Sequence, residues 1–188
     1  MKLKKLGALC QILTGGYPDR SEDQIGKDGY LLLPSNLFEN NIIHIPSEPD
    51  KIEMSERFEL QTGDILLKRL NPVFVNIFDG NCNFPIYASN NIIILRSKSY
   101  SPFFLAAMLE QDGISKLNHF AQSGTRIQTI SVRQLSDLTI RIPDIKKQKI
   151  IGGIWQTNNE KKRWLTNLHI EEEKLIKAVI KRIIRQEA

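Results

Sequence analysis

Three short stretches carry side chains able to do chemistry on a nucleic acid. Lys68, Arg69 and Asn71 follow the apolar run Ile65-Leu66-Leu67, so two cations and a carboxamide enter a turn before Pro72. Ser123, Gly124, Thr125, Arg126 and Gln128 form a run of donors in which Gly124 permits close backbone approach to a phosphate. Tyr17, Arg20 and Ser21 follow Gly15-Gly16. Cations and hydroxyls hold phosphates, whereas guanidinium and amide groups read base edges, so all three stretches suit duplex binding. The same residue types also make ordinary solvated loops, and a single position does not decide between the two.

Catalytic constellations are missing. The chain has no GxxxxGKS/T, HExxH, GxSxG or GxGxxG motif, and His44, His119 and His169 lie far apart with no metal-ligand spacing. Two stretches come near to one. Asn71-Pro72-Val73-Phe74 differs by one residue from an Asn-Pro-Pro-aromatic grip on a flipped base, but no glycine-rich cofactor loop or βαβ pattern accompanies it. Asp64 and Lys68 frame a strand as in a metal-dependent nuclease core, yet the position two before the lysine is Leu66, not a carboxylate. A strand start with a solvent-facing lysine is the better reading. No catalytic residue and no metal ligand is assigned.

The charge is uneven. Residues 1–145 hold 15 Lys and Arg against 16 Asp and Glu, a net of −1, whereas residues 146–188 hold 11 against five, a net of +6; together they give the chain its +5. Phosphate attraction in the larger segment must therefore come from local patches. The lone Cys10 and Cys82 argue against a zinc site or a disulfide framework and favour a reducing cytoplasm. The opening MKLKKLGALCQILTGG is basic and then apolar but lacks a convincing cleavage site, so it is expected to form a first strand or helix. With no apolar run near the roughly 18 residues a bilayer requires, no membrane role is expected.

At 188 residues and 21.6 kDa the chain can build its own core. Turn chemistry recurs up to Pro143, which implies short strands at Tyr30–Leu33, Asn41–Ile45, Asp64–Lys68, Val73–Phe78, Asn91–Arg96 and Leu138–Ile142. A helix is expected over Pro102–His119, broken near Asp112-Gly113, and a short one over Ser131–Leu138 capped by Ser131. Residues 1–145 thus read as an α+β domain with a mixed or antiparallel sheet and short helices. From Lys146 onward proline disappears and apolar residues recur at three and four: Ile151, Ile154, Trp155, Leu165, Leu168, Leu175, Ile176, Val179 and Ile183. Residues 146–188 therefore predict a long coiled-coil-like helix of about 60 Å at 1.5 Å per residue, whose stripe needs a partner or folds back on its own domain.

Taken in order, several segments are similar to a known family. They are LKKLGALCQILTGGYP, GYLLLPSNLFENNI, LQTGDILLKR, ASNNIIILRSK, SPFFLAAMLEQDG, SGTRIQTISVRQLSDLTIRIP and KKQKIIGGI. Residues 1 to about 155 resemble the specificity (S) subunit of Type I restriction-modification enzymes, spanning one target recognition domain and the start of its helix. A full subunit of that family carries two such domains and two long helices, so the chain resembles half of one. Its exit DIKKQKI also departs from the family, with Ile145 and Lys146 where an apolar Pro-Leu and an acidic residue are usual.

The resemblance implies a non-catalytic, sequence-specific subunit that reads half of a bipartite site in double-stranded DNA. It implies docking to methylation (M) and restriction (R) subunits, which would hold S-adenosylmethionine, ATP and Mg, so that this chain needs no cofactor. The helix is expected to pair with a second copy or a second S chain. An adaptor that assembles through its helix without reading DNA is the alternative; an independent nuclease is disfavoured by the missing metal constellation.

Overall fold

Apolar runs that alternate between two faces set the centre of the fold. The computed structural model describes residues 2–18, 26–70, 72–113 and 129–186. In chain order the elements are β1 (Lys2–Lys5), α1 (Leu6–Leu9), β2 (Cys10–Thr14), β3 (Lys27–Leu32), β4 (Leu37–Phe38), β5 (Ile42–Ile43), β6 (Asp50–Ile52), β7 (Ile65–Lys68), β8 (Val75–Ile77), β9 (Ile86–Ala88) and β10 (Ile92–Ser97). They continue with α2 (Pro102–Met108), a π-helical turn (Leu109–Gly113), α3 (Val132–Asp137), β11 (Thr139–Ile142) and α4 (Ile145–Gln186).

The central sheet has the order β2-β10-β7-β8 with every pairing antiparallel. Because side chains alternate along a strand, Ile65 and Leu67 of β7 and Ile93 and Leu95 of β10 face one core, while Leu66, Ile92 and Ile94 face another. Both faces are covered, which is why these antiparallel strands read as continuous apolar runs rather than apolar-polar alternations. On the first face lie α1, α2, α3 and β11, with Phe104 and Leu105 fully buried. On the second lies a smaller sheet, β6-β3-β9, in which β3 and β9 run parallel. The β1-β11 ribbon closes the domain beside the start of α4.

Residue chemistry accounts for the helix ends. Ser131 caps α3 in a reciprocal box with Gln134: the Ser131 hydroxyl accepts from the Gln134 amide at 3.2 Å, and the Gln134 side chain accepts from the Ser131 amide at 2.9 Å. Asp144 opens α4 by accepting from the Lys147 amide at 3.0 Å. Gln148 is buried and donates to the Pro143 carbonyl at 2.8 Å, tying the helix back to the end of β11.

The six expected strands all lie where observed strands do, shifted by one to three residues. The N-terminal segment forms both alternatives, β1 and β2 flanking one turn of helix. The expected helix over Pro102–His119 is shorter: α2 ends at Met108 and passes into the π-helical turn, and residues 114–119 lie outside the described residues. The short strands β4, β6 and β9 were not expected.

Candidate nucleic-acid interface

The sheet register gathers one end of the molecule into a site. Strands β2 and β7 both run antiparallel to β10, so the ends of β2 and β7 and the beginnings of β8 and β10 lie at the same edge. That edge carries Tyr17 after β2, Lys68 and Arg69 at the end of β7, Phe74 before β8, and the Asn90-Asn91 turn before β10.

Gly15 and Gly16 explain how the chain reaches it. A Cβ on Gly15 would lie 2.2 Å from the carbonyl oxygens of Ala88 and Ser89, and one on Gly16 would lie 2.3 Å from the Phe58 ring. Only glycine permits this approach, and it delivers Tyr17 to the surface with its ring largely exposed. There the Tyr17 hydroxyl accepts from the Asn90 side-chain amide at 2.6 Å. Arg57, exposed beside this crossing, stacks its guanidinium 4.3 Å from the Phe58 ring centroid.

Lys68 and Arg69 are held rather than loose. The Lys68 ammonium sits 4.8 Å from the centroid of the Phe74 ring, and burial pushes its pKa down. It is half-buried, which corrects the expectation of a solvent-facing lysine; Phe74 across the turn covers it. Arg69 directs one terminal nitrogen to the Asn90 carbonyl at a long 3.5 Å, and its Nε is buried with no hydrogen-bond partner. Its backbone is clamped on both sides: the Arg69 amide donates to the Asn91 carbonyl at 3.0 Å, and its carbonyl accepts from the Ile130 amide at 2.9 Å. A bridge between Leu70 and Thr129 brings the chain that follows residue 128 to the same edge.

Of the residues expected to meet DNA, the structure brings Tyr17, Lys68 and Arg69 together. Arg20, Ser21, Asn71, Ser123, Gly124, Thr125, Arg126 and Gln128 lie outside the described residues. Sequence reasoning did not place Asn90 or Arg57 at this edge, and it met Phe74 only in the Asn71-Pro72-Val73-Phe74 stretch. A β-turn asparagine between two apolar runs was the available signal for Asn90.

The nuclease-like pair resolves as architecture. Asp64 is 1% exposed and grips Arg96 with both oxygens, accepting from Nε at 2.9 Å and from a terminal nitrogen at 2.7 Å. The same carboxylate accepts from the Gln61 amide at 2.8 Å, and Arg96 also donates to the Glu59 carbonyl at 3.2 Å. The hydrogen bond to Asp64 holds the Arg96 pKa above its ordinary value. Lys68 lies at the far end of β7 from this pair, so Asp64 and Lys68 do not form a nuclease-like couple. Among the described residues no group of three or more His, Cys, Asp or Glu is placed to hold a metal ion.

The stripe of α4 divides in two. Trp155 is 6% exposed, packs on Phe103 and donates from Nε1 to Glu110, and Ile151 is half-buried against the same core. Trp155 therefore covers its own domain rather than a partner helix, a correction whose cause is the close seat of α4 on α2, and Ile151 does so in part. Gly152 makes that seat: a Cβ there would lie 3.1 Å from the Phe104 amide nitrogen. Ile154 faces outward, and beyond Arg163, which reaches Asp79 at 3.9 Å, the helix carries Leu165, Leu168, Leu175, Ile176, Val179 and Ile183 all exposed. Part of its cationic face is internally paired, through Lys174 with Glu171 at 2.7 Å and Lys177 with Glu173 at 3.3 Å. No helix among the described residues is long and apolar enough to cross a membrane.

A family model described as Type I restriction modification DNA specificity domain matches residues 1–173. No curated protein matches the sequence. Among solved structures, a chain from a study of complex assembly and conformational transition in the type I R-M system is similar with 18% identity and a TM-score of 0.60, over 95% of this chain and 43% of that one. The S subunit of the Type I restriction-modification system of M. genitalium is similar with 14% identity and a TM-score of 0.61, over 92% of this chain and 42% of that one. The HsdS subunit of Thermoanaerobacter tengcongensis is similar with 16% identity and a TM-score of 0.53, over 89% and 39%. The chain thus shares their fold and spans less than half the length of each.

Proposed function

The chain belongs to the family of Type I restriction modification DNA specificity domains, and from that membership we propose that it is a non-catalytic subunit that reads one half of a bipartite target in double-stranded DNA. The observation that carries this reading is the convergence of Tyr17, Lys68 and Arg69 with Asn90 at one edge of a rigid sheet. That edge offers a hydroxyl, two cations and an amide within a domain whose net charge is near zero. Phosphate contacts there position the duplex and the amide and guanidinium read it, while the low net charge keeps non-specific binding weak.

Methylation and restriction subunits would dock on the domain and its helix and bring S-adenosylmethionine, ATP and Mg, so that the chemistry occurs in the partners, in the cytoplasm. The exposed half of α4 supports pairing with a second copy or a second S chain, because an apolar stripe of this length costs too much to leave in water. Two recognition domains would then read two half-sites across a fixed spacer.

The exposed stripe also favours a second reading, an adaptor that assembles through α4 without reading DNA. Electrophoretic binding of the full chain to a pool of random duplexes separates the two. Retarded complexes that weaken in Arg69→Ala support the DNA reading; no retardation at any concentration supports the adaptor.

A further inference from the structure

The Asn90 turn was not among the expected contact residues, yet it is the most constrained polar group at the edge. Asn90 is the second residue of the β-turn Ser89–Ile92, closed by a bond from the Ile92 amide to the Ser89 carbonyl at 2.9 Å. The turn is anchored on three sides. The Ser89 amide donates to the Leu32 carbonyl at 3.0 Å, the Arg69 amide donates to the Asn91 carbonyl at 3.0 Å, and Ser89 bridges to Gly16. Its backbone therefore has little freedom to follow a ligand.

The side chain is oriented too. One of its two N–H groups goes to the Tyr17 hydroxyl at 2.6 Å. Among the described residues nothing else engages it, so the second N–H and the Oδ1 acceptor are free; with the hydrogen anti to Oδ1 on the Tyr17 hydroxyl, the free hydrogen is the one beside Oδ1. A donor beside an acceptor on one planar amide matches one base edge in the major groove, adenine, which presents the N7 acceptor beside the N6 donor. Guanine presents two acceptors there, and one of them would face Oδ1 across the contact. From this the geometry points to Asn90 as a specificity-determining residue that reads the major-groove edge of an adenine, with Tyr17 as its positioning residue. This rests on the proposed DNA-reading role of the same edge. A rigid turn and a fixed amide lose little freedom on binding, so discrimination is not spent on ordering the reader.

The test uses the full chain with its methylation subunit, as unmodified protein and as Asn90→Ala, Asn90→Asp and Tyr17→Phe, each checked for an unchanged thermal transition. Bound duplexes are selected from a random library and affinities are measured on the preferred duplex and on a scrambled one. In Asn90→Ala one adenine position of the selected element becomes degenerate and affinity for the preferred duplex falls about 10- to 100-fold, while the scrambled duplex binds within about twofold. Asn90→Asp, which keeps an acceptor and loses the donor, shifts that position away from adenine. Tyr17→Phe keeps the adenine preference at a reduced ratio. A folded Asn90→Ala protein that selects the same element with every position intact overturns the assignment and leaves the DNA-reading role standing. An unmodified protein that enriches no element overturns both.

Discussion

At the residue scale a few clamped side chains carry the proposed DNA contacts. Arg69 is gripped through its backbone on both sides and buries its Nε without a partner, so its guanidinium projects from a fixed base. Replacing Arg69 or Arg126 with alanine is expected to weaken binding to the specific duplex by about 1 to 3 kcal/mol, read by titration on specific and scrambled duplexes. Unchanged affinity in both would remove these residues from the interface. A second prediction concerns Cys10, whose thiol burial pushes up to about 11, opposed in part by Lys98. A raised native value means that its stabilising contribution is whole below about pH 9 and disappears as pH rises towards 11, a loss of about 2 to 3 kcal/mol. Urea unfolding at pH 8 and pH 11 should therefore show a steeper loss in the native protein than in Cys10→Ala. Lys68 and Arg69 drew notice in the sequence as cations between an apolar run and Pro72, although Lys68 is the last residue of β7 and pairs with Ile92. Asn90 did not, because only the pairing of β2 with β10 brings Tyr17 to it across 73 positions.

At the element scale the strands were legible where apolar runs were long enough to bury both faces, as in β7 and β10, and where turn residues bounded them. Short pairings such as β9 were not, because three residues carry too little periodicity and their place depends on β3. The helix α4 was legible from its spacing, but which part of the stripe stays covered depended on a contact invisible in the sequence, the approach of Gly152 to Phe104. The two adjacent glycines should consequently behave differently. Gly153 has open space where its Cβ would be, so Gly153→Ala should stabilise by about 0.5 to 1 kcal/mol through helix propensity alone. Gly152→Ala should lose that gain, since its Cβ meets the Phe104 backbone at 3.1 Å. Thermal or urea unfolding of the two single variants decides this, and equal gains would mean that α4 does not seat on α2 as described.

At the scale of the whole molecule, a near-neutral recognition domain is joined to a helix that carries the excess positive charge and an uncovered apolar stripe. About 35 Å of that helix extends past Arg163, whose guanidinium still reaches Asp79 of the domain at 3.9 Å, and its apolar stripe there is exposed. Light scattering of the full chain across a concentration series should show a dimer, and Leu168→Glu combined with Val179→Glu should return it to a monomer without changing the fold of the domain. A native protein that stays monomeric at high concentration, alone and with its methylation subunit, would contradict pairing through α4. The most direct measurement of the proposed DNA reading is selection of bound duplexes from a random library by the full chain, alone and with the methylation subunit proposed as its partner. Enrichment of one short element, repeated as an inverted pair at a fixed spacing when two copies assemble, is the expected result. A bound pool with the same base composition at every position as the starting library would contradict it.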